Sequence, residues 1–193
     1  MEHFYTLQGE GFHQGRAAYF IRLGGCDVGC TWCDVKDSWD GGKHPLIKLE
    51  DLLTAVKKTP AEIVVITGGE PLMHDLEELT TLFSEAGLKM HLETSGAHAL
   101  SGLWDWICLS PKKFKSPVST IIPLAHELKI IIFNKSDFDW AETYGGMVPP
   151  SCKLFLQPEW DKAALMTPMI IEYIYQNPQW QLSLQIHKYI NVP

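Results

Sequence analysis

Residues 17–34 read AAYFIRLGGCDVGCTWCD: an apolar run from Ala17 to Leu23, two glycines, then Cys26, Cys30 and Cys33 in a C-x3-C-x2-C triplet followed by Asp34. The run has the length and composition of a strand, so the triplet stands on the loop that leaves it. No fourth cysteine or histidine lies close enough in sequence to complete a set. A structural zinc site closes its tetrahedron with four protein ligands. A four-iron cluster held by three thiolates instead keeps one iron free for a ligand that does chemistry. Thiolates are soft donors that suit either centre. Position after the first strand favours the cluster, and zinc completed by distant Cys108, Cys152 or His44 is the competing reading.

Further apolar runs bounded by turn residues follow at 62–67, 89–94, 106–110, 128–133, 153–157 and 181–186. Several are continuous, as in strands buried on both faces. Helical patterns lie between them. Leu49, Leu52, Leu53 and Val56 keep the i, i+3, i+4, i+7 spacing, as do Leu76, Leu79, Phe83 and Ala86 between an expected N-cap, Asp75, and Gly87 past the end. Thr167 and Pro168 read as N-cap and first residue of a helix reaching Gln176, and residues 134–151 as an irregular loop. Strand and helix alternation predicts βαβ units and a mainly parallel sheet. Six or seven strands are too few for the eightfold barrel, which needs ~250 residues. The expected fold is α/β: one domain over 1–193, an incomplete TIM-like β/α barrel. Functional residues should gather at the carboxyl ends of its strands. Thr67-Gly68-Gly69-Glu70-Pro71, Glu93-Thr94-Ser95-Gly96, Ser110-Pro111-Lys112 and Gln157-Pro158-Glu159 each follow an apolar run there.

A net charge of −7 argues against binding a nucleic-acid backbone. The longest apolar stretches, such as Ile130 to Phe133, fall far short of the ~20 residues of a membrane helix, and no signal-peptide pattern follows Met1. The expected location is cytoplasmic. Five cysteines, three of them bunched, do not look like a disulfide framework. Cys108 and Cys152, in apolar runs, read as core residues.

The triplet together with Gly68-Gly69-Glu70-Pro71 at a strand end resembles radical S-adenosylmethionine enzymes. Thr6-Leu7-Gln8-Gly9-Glu10-Gly11, Phe20-Ile21-Arg22-Leu23, Cys33-Asp34, Glu93-Thr94-Ser95-Gly96, Ser110-Pro111-Lys112, Leu156-Gln157-Pro158 and Gln185-Ile186-His187-Lys188 extend the likeness to the 7-carboxy-7-deazaguanine synthase family. That resemblance implies a 4Fe-4S cluster on Cys26, Cys30 and Cys33, and S-adenosylmethionine cleaved to a 5'-deoxyadenosyl radical. It implies conversion of 6-carboxy-5,6,7,8-tetrahydropterin to 7-carboxy-7-deazaguanine with loss of ammonia, for queuosine and other 7-deazapurines. Substrate contacts are implied for Leu7, Gln8, Gly9, Glu10, Arg22, Thr67, His187 and the Pro193 carboxylate. Cofactor contacts are implied for Gly69, Glu93, Ser95, Ser110, Pro111, Lys112, Gln157, Pro158, Glu159 and Trp160. A homodimer and an electron donor such as flavodoxin are implied as well. The family pattern departs at two places. Val35 stands where a Thr hydroxyl helps bind Mg2+, so the ion is held through substrate and water or is dispensable, and Ile186 replaces another Thr.

Plainer readings compete for several of these residues. Arg22 could pair with a buried carboxylate such as Glu70, and His187 could be a satisfied core histidine. Trp104, Trp106, Trp140 and Trp180 read as packing residues, with Trp160 the exception, and Glu77-Glu78 as a solvated helix start. Two other functions compete with the synthase: an activase that installs a glycyl radical on a partner protein, and a non-catalytic zinc-stabilised binding module. A clamp of small-molecule type at both ends of the chain speaks against the activase.

Overall fold

In the computed structural model, which describes residues 1–193, eight strands stand side by side in chain order. They are β1 (Glu2–Leu7), β2 (Ala17–Leu23), β3 (Ile63–Gly68), β4 (Lys89–Thr94), β5 (Trp106–Leu109), β6 (Glu127–Ile132), β7 (Lys153–Pro158) and β8 (Trp180–Leu182). β1 runs antiparallel to β2, and every later neighbour is parallel. β1 and β8 remain the two edges of the sheet, so the barrel is incomplete, as expected. Five helices accompany it: α1 (Leu49–Lys57), α2 (Glu77–Glu85), α3 (Asp137–Gly145), α4 (Ala163–Gln176) and α5 (Ile186–Ile190). No helix is long and apolar enough to cross a membrane.

Successive side chains point to opposite faces of a strand, and here the two faces differ in chemistry. Tyr19, Ile21, Val64, Ile66, Met90, Leu92, Leu128, Ile130 and Leu156 join Leu52 and Val56 of α1, Leu79 and Phe83 of α2, Ala141 of α3 and Ile170 of α4 in one buried core. Truncating a side chain as thoroughly buried as Phe83 to Ala would cost about 3–5 kcal/mol. The intervening residues, Arg22, Thr67, Glu93, Lys129, Ile131 and Gln157, line a cavity on the other face. The helices thus hold the sheet from one side and leave a polar inner face for chemistry.

β1 was not among the apolar runs, because its residues alternate and most are half-exposed, as on an edge strand. From it the chain turns at residues 8–16 and crosses the sheet. Gly11 N–H donates to Ser183 Oγ (3.0 Å), Phe12 N–H to Glu127 Oε2 (3.2 Å), and the Phe12 ring stacks on Trp106 at 5.1 Å.

Other expectations are corrected. Residues 134–151 contain α3, because Asp137 takes the Phe133 and Asn134 N–H groups at 2.8 and 2.7 Å and Ala141 and Tyr144 are buried. α4 begins at Ala163, not beside Thr167, and Pro168 lies within it. Burial of Met166 and Ile170, four residues apart, outweighs the proline penalty. Asp75 caps α2 from one position further out than expected: Leu76 is the N-cap, while Asp75 Oδ1 accepts from Glu77 N–H at 3.0 Å. The last strand ends at Leu182, and Ile186 already belongs to α5.

Candidate active site

The cysteine loop leaves β2 against the end of β3. Gly69 N–H donates to Leu23 O (3.0 Å), Glu70 N–H to Gly25 O (2.8 Å) and Gly25 N–H to Ser38 O (2.6 Å). The fit admits only glycine at 68 and 69. Gly68 has φ +146°, and a Cβ on Gly69 would stand 2.2 Å from Gly25 O and 2.8 Å from Cys26 Cβ. Cys26, Cys30 and Cys33 face one cavity of about 290 Å3, beside Gly68 and Gly69.

No three Cys, His, Asp or Glu side chains converge tightly enough to hold a metal ion as they stand. The thiols nevertheless fit a cluster in type and place. All are free, they pack with Val28 and Ala97 in one small group, and the loop between them has little regular hydrogen bonding. Burial raises Cys26 and lifts Cys30 to about 11, so both are neutral thiols until a metal draws off their protons. Lys112, lowered by its own burial, stands near Cys30 and donates to Ser110 O at 2.8 Å, with its ammonium 5.8 Å from the Trp32 ring centroid.

Glu70 is sealed in. It accepts from Leu72 N–H (3.1 Å), Ser95 N–H (2.8 Å) and the Thr94 and Ser95 hydroxyls, locking the end of β3 to the end of β4. It is therefore no partner for Arg22. Arg22 Nε stands 2.7 Å from Glu2 Oε1 at the sheet edge, and its side chain lines the cavity.

On the opposite wall, Lys129 Nζ donates to Glu10 Oε2 (2.6 Å) and Glu93 Oε2 (2.9 Å). Gln8 Nε2 donates to Glu93 Oε1 (3.2 Å), and Gln185 Nε2 to Glu10 Oε1 (2.8 Å). Burial alone would push Glu10 up, but Lys129 and the amides outweigh it and hold it at about 2. Burial likewise opposes the charge on Lys129, yet the surrounding Cys108, Glu10, Glu93 and Glu127 raise it well above the usual lysine range.

α5 brings the chain's last residues over the opening. His187 lies against Gly9, where a Cβ would come within 2.1 Å of its Nδ1, and burial lowers its pKa. Lys188 pairs with Asp34 of the cysteine loop at 2.7 Å and sits 4.8 Å from the Trp160 ring centroid. Thr6 Oγ1 donates to Pro193 O at 3.2 Å. Gln157 accepts from Ser183 Oγ at 2.7 Å, and Glu159 caps the short turn 160–162 through Lys162 N–H at 3.1 Å.

Every residue expected from the sequence to hold cluster, substrate or cofactor therefore lines this one cavity except Pro111, which lines a smaller neighbouring one of about 220 Å3 with Trp140. Trp106 and Trp180 pack as expected, the latter buried with Nε1 on Glu142 Oε1 at 2.8 Å. Val35 lines the cavity without a side-chain oxygen, and the nearby Ser38 hydroxyl is spent on Val35 O at 2.6 Å. Sequence reasoning missed Lys129, whose signal was a lone charge inside the apolar run 128–133. It also missed Phe4 and Phe20, stacked at 5.8 Å in the wall, and the partnership of Asp34 with Lys188.

Three thiols on the first crossover loop of an open parallel barrel define a class, and the Radical SAM superfamily model matches residues 20–108. The chain is 53% identical over 193 residues to a 7-carboxy-7-deazaguanine synthase of Flavobacterium psychrophilum, covering 100% of this chain and 91% of the relative. It is 51% identical over 191 residues to that of Synechocystis sp., covering 99% and 91%. The crystal structure of QueE from Escherichia coli superposes with a TM-score of 0.81 at 32% identity, covering 95% of this chain and 91% of that one. The chain belongs to the 7-carboxy-7-deazaguanine synthase family.

Proposed function

We propose that this chain is a radical S-adenosylmethionine lyase that converts 6-carboxy-5,6,7,8-tetrahydropterin to 7-carboxy-7-deazaguanine with release of ammonia, in queuosine biosynthesis. The observation that carries the proposal is a single cavity in which three thiols face Gln8, Glu10, Arg22, Thr67 and His187. A 4Fe-4S cluster on Cys26, Cys30 and Cys33, with S-adenosylmethionine bound, would supply one electron and a 5'-deoxyadenosyl radical. The Gly69 backbone would receive the methionyl ammonium, and Lys112, Ser110 and residues 157–160 the rest of the nucleotide. Arg22 would pair with the substrate carboxylate, for which its planar fork is suited. Gln8 and Glu10 would take the donor edge of the pterin, and His187 and Pro193 would close over it. Mg2+ would reach the protein through substrate and water, since Val35 offers no oxygen. The enzyme would work in the cytoplasm as a homodimer reduced by a donor such as flavodoxin.

The test is anaerobic reconstitution followed by turnover with S-adenosylmethionine, reductant and the carboxytetrahydropterin. Wild type should be brown, with broad absorbance near ~400 nm, and should release a deazaguanine. Cys30→Ala should lose colour and activity together. Arg22→Ala should keep the cluster and raise KM ~30-fold, the cost of one charge-assisted pair. Colourless protein with stoichiometric zinc, or 5'-deoxyadenosine formed only when a partner protein is added, would defeat the proposal.

A further inference from the structure

The cavity has a polarity along its length that follows from one residue. Lys129 is the only charge in the inner half of β6 above Glu127, and its side chain is 6% exposed. Isolated buried ammonium groups are costly, so its partners decide what it does. It has two: Glu10 Oε2 at 2.6 Å, from the loop after β1, and Glu93 Oε2 at 2.9 Å, from β4. Those carboxylates are 17% and 20% exposed, and both line the cavity. Each gives one oxygen to Lys129 and the other to an amide, Gln185 or Gln8. Two carboxylates brought together in a buried place would repel, and one would take a proton and become a donor. The Lys129 ammonium stands between the two and offsets that repulsion, and an ionised carboxylate only accepts. The pair with its lysine carries a net charge of −1. At the sheet edge Arg22 carries the opposite sign into the cavity, while its partner Glu2 is half exposed and does not line it.

A pterin has the complementary shape. Its 2-amino group and adjacent ring N–H form a row of donors at one end, and the 6-carboxylate is an anion at the other.

Resting on the function proposed above, we infer that Lys129 is a positioning residue for specificity: it holds Glu10 and Glu93 as paired acceptors for the amino-bearing edge of the heterocycle. Arg22 and the carboxylate pair then admit the substrate in one direction only. A heterocycle lacking the 2-amino group loses part of this recognition, because it leaves acceptors facing no donor.

The experiment measures binding of three ligands to cluster-loaded protein: S-adenosylmethionine, the carboxytetrahydropterin and its 2-deamino analogue. Wild type should prefer the pterin over the analogue by ~30-fold or more. Lys129→Met should bind S-adenosylmethionine within about twofold of wild type, bind the pterin ~30-fold more weakly, and lose most of its preference over the analogue. Lys129→Met/Glu93→Gln removes one of the two carboxylates left without their ammonium, so it supplies the same readout if the single variant fails to fold. An unchanged pterin-to-analogue ratio in whichever variant still binds S-adenosylmethionine would overturn the inference. So would wild type that turns over the pterin yet does not discriminate against the analogue. Wild type that binds S-adenosylmethionine but never the pterin would overturn the proposed function, and this inference with it.

Discussion

Gly9 and His187 meet from opposite ends of the chain, and that contact leaves no room for a methyl group. Gly9→Ala should therefore fold, since Gly9 lies in a loop, but push the His187 ring aside by more than 1 Å. A displacement of that size in a reacting site costs ~100-fold. We expect kcat/KM for the pterin to fall by that order while S-adenosylmethionine affinity stays unchanged, read by steady-state kinetics beside a binding titration. A second residue-level consequence concerns pH. His91 is buried against His13 at 4.5 Å between ring centroids, and burial lowers it to about 4. Its unfolded value is near 6.5, so the unfolded chain takes up a proton as pH falls from 6.5 to 4 while the native one resists. Stability present above pH 6.5 is lost across that window, by at most about 3 kcal/mol and less where solvent screens the ring. Glu127 opposes it: burial beside Glu93 lifts its pKa to about 7, so its contribution is lost as pH rises from 4.5 to 7. Urea unfolding at pH 4.5, 5.5 and 7 should show His91→Phe losing less stability on acidification than wild type. Parallel profiles would disprove the assignment.

At the level of elements, Pro168 is out of place. It is exposed and inside α4, where it has no N–H to give the Ala164 carbonyl and its ring crowds that group. Pro168→Ala should raise stability by about 2 kcal/mol in chemical denaturation, the helix-interior penalty less the loss of the proline's stiffening of the unfolded chain, with activity intact. A loss of stability would mean that the proline's stiffening of the unfolded chain dominates. α3 carries the complementary lesson. Gly, Pro and aromatic residues made 134–151 look irregular, yet Asp137 and a buried Ala141–Tyr144 face set a helix there. Strands β2 and β4 were legible to their last residue, β2 because an almost wholly apolar run admits few other structures and β4 because Met90 and Leu92 alternate with polar residues between two glycine turns. β1 was not, because an edge strand needs only alternate apolar side chains. The helix start at Ala163 was hidden because tertiary burial, absent from any local window, overrode a strong local signal.

For the molecule as a whole, the first and last segments, the crossover loop and six strands enclose one cavity. Ligands that bind only this folded arrangement must stabilise it, by about 2.7 kcal/mol at a hundredfold excess over Kd. S-adenosylmethionine should raise the melting temperature of cluster-loaded wild type and leave Cys30→Ala unmoved. Equal shifts in both proteins would show that the nucleotide binds without the cluster. Thiol spacing, the two glycines and the run of strand-end motifs were enough, by themselves, to specify the kind of chemistry and the parallel frame, because each is a short-range demand of geometry or ligand type. Which carboxylates share Lys129, which residue Arg22 pairs with, and that Glu70 is spent on tying two strands together were decided only by the tertiary structure. The reason is physical: charges inside a protein are defined by the partners brought to them, and those partners stand up to 119 positions apart in the chain.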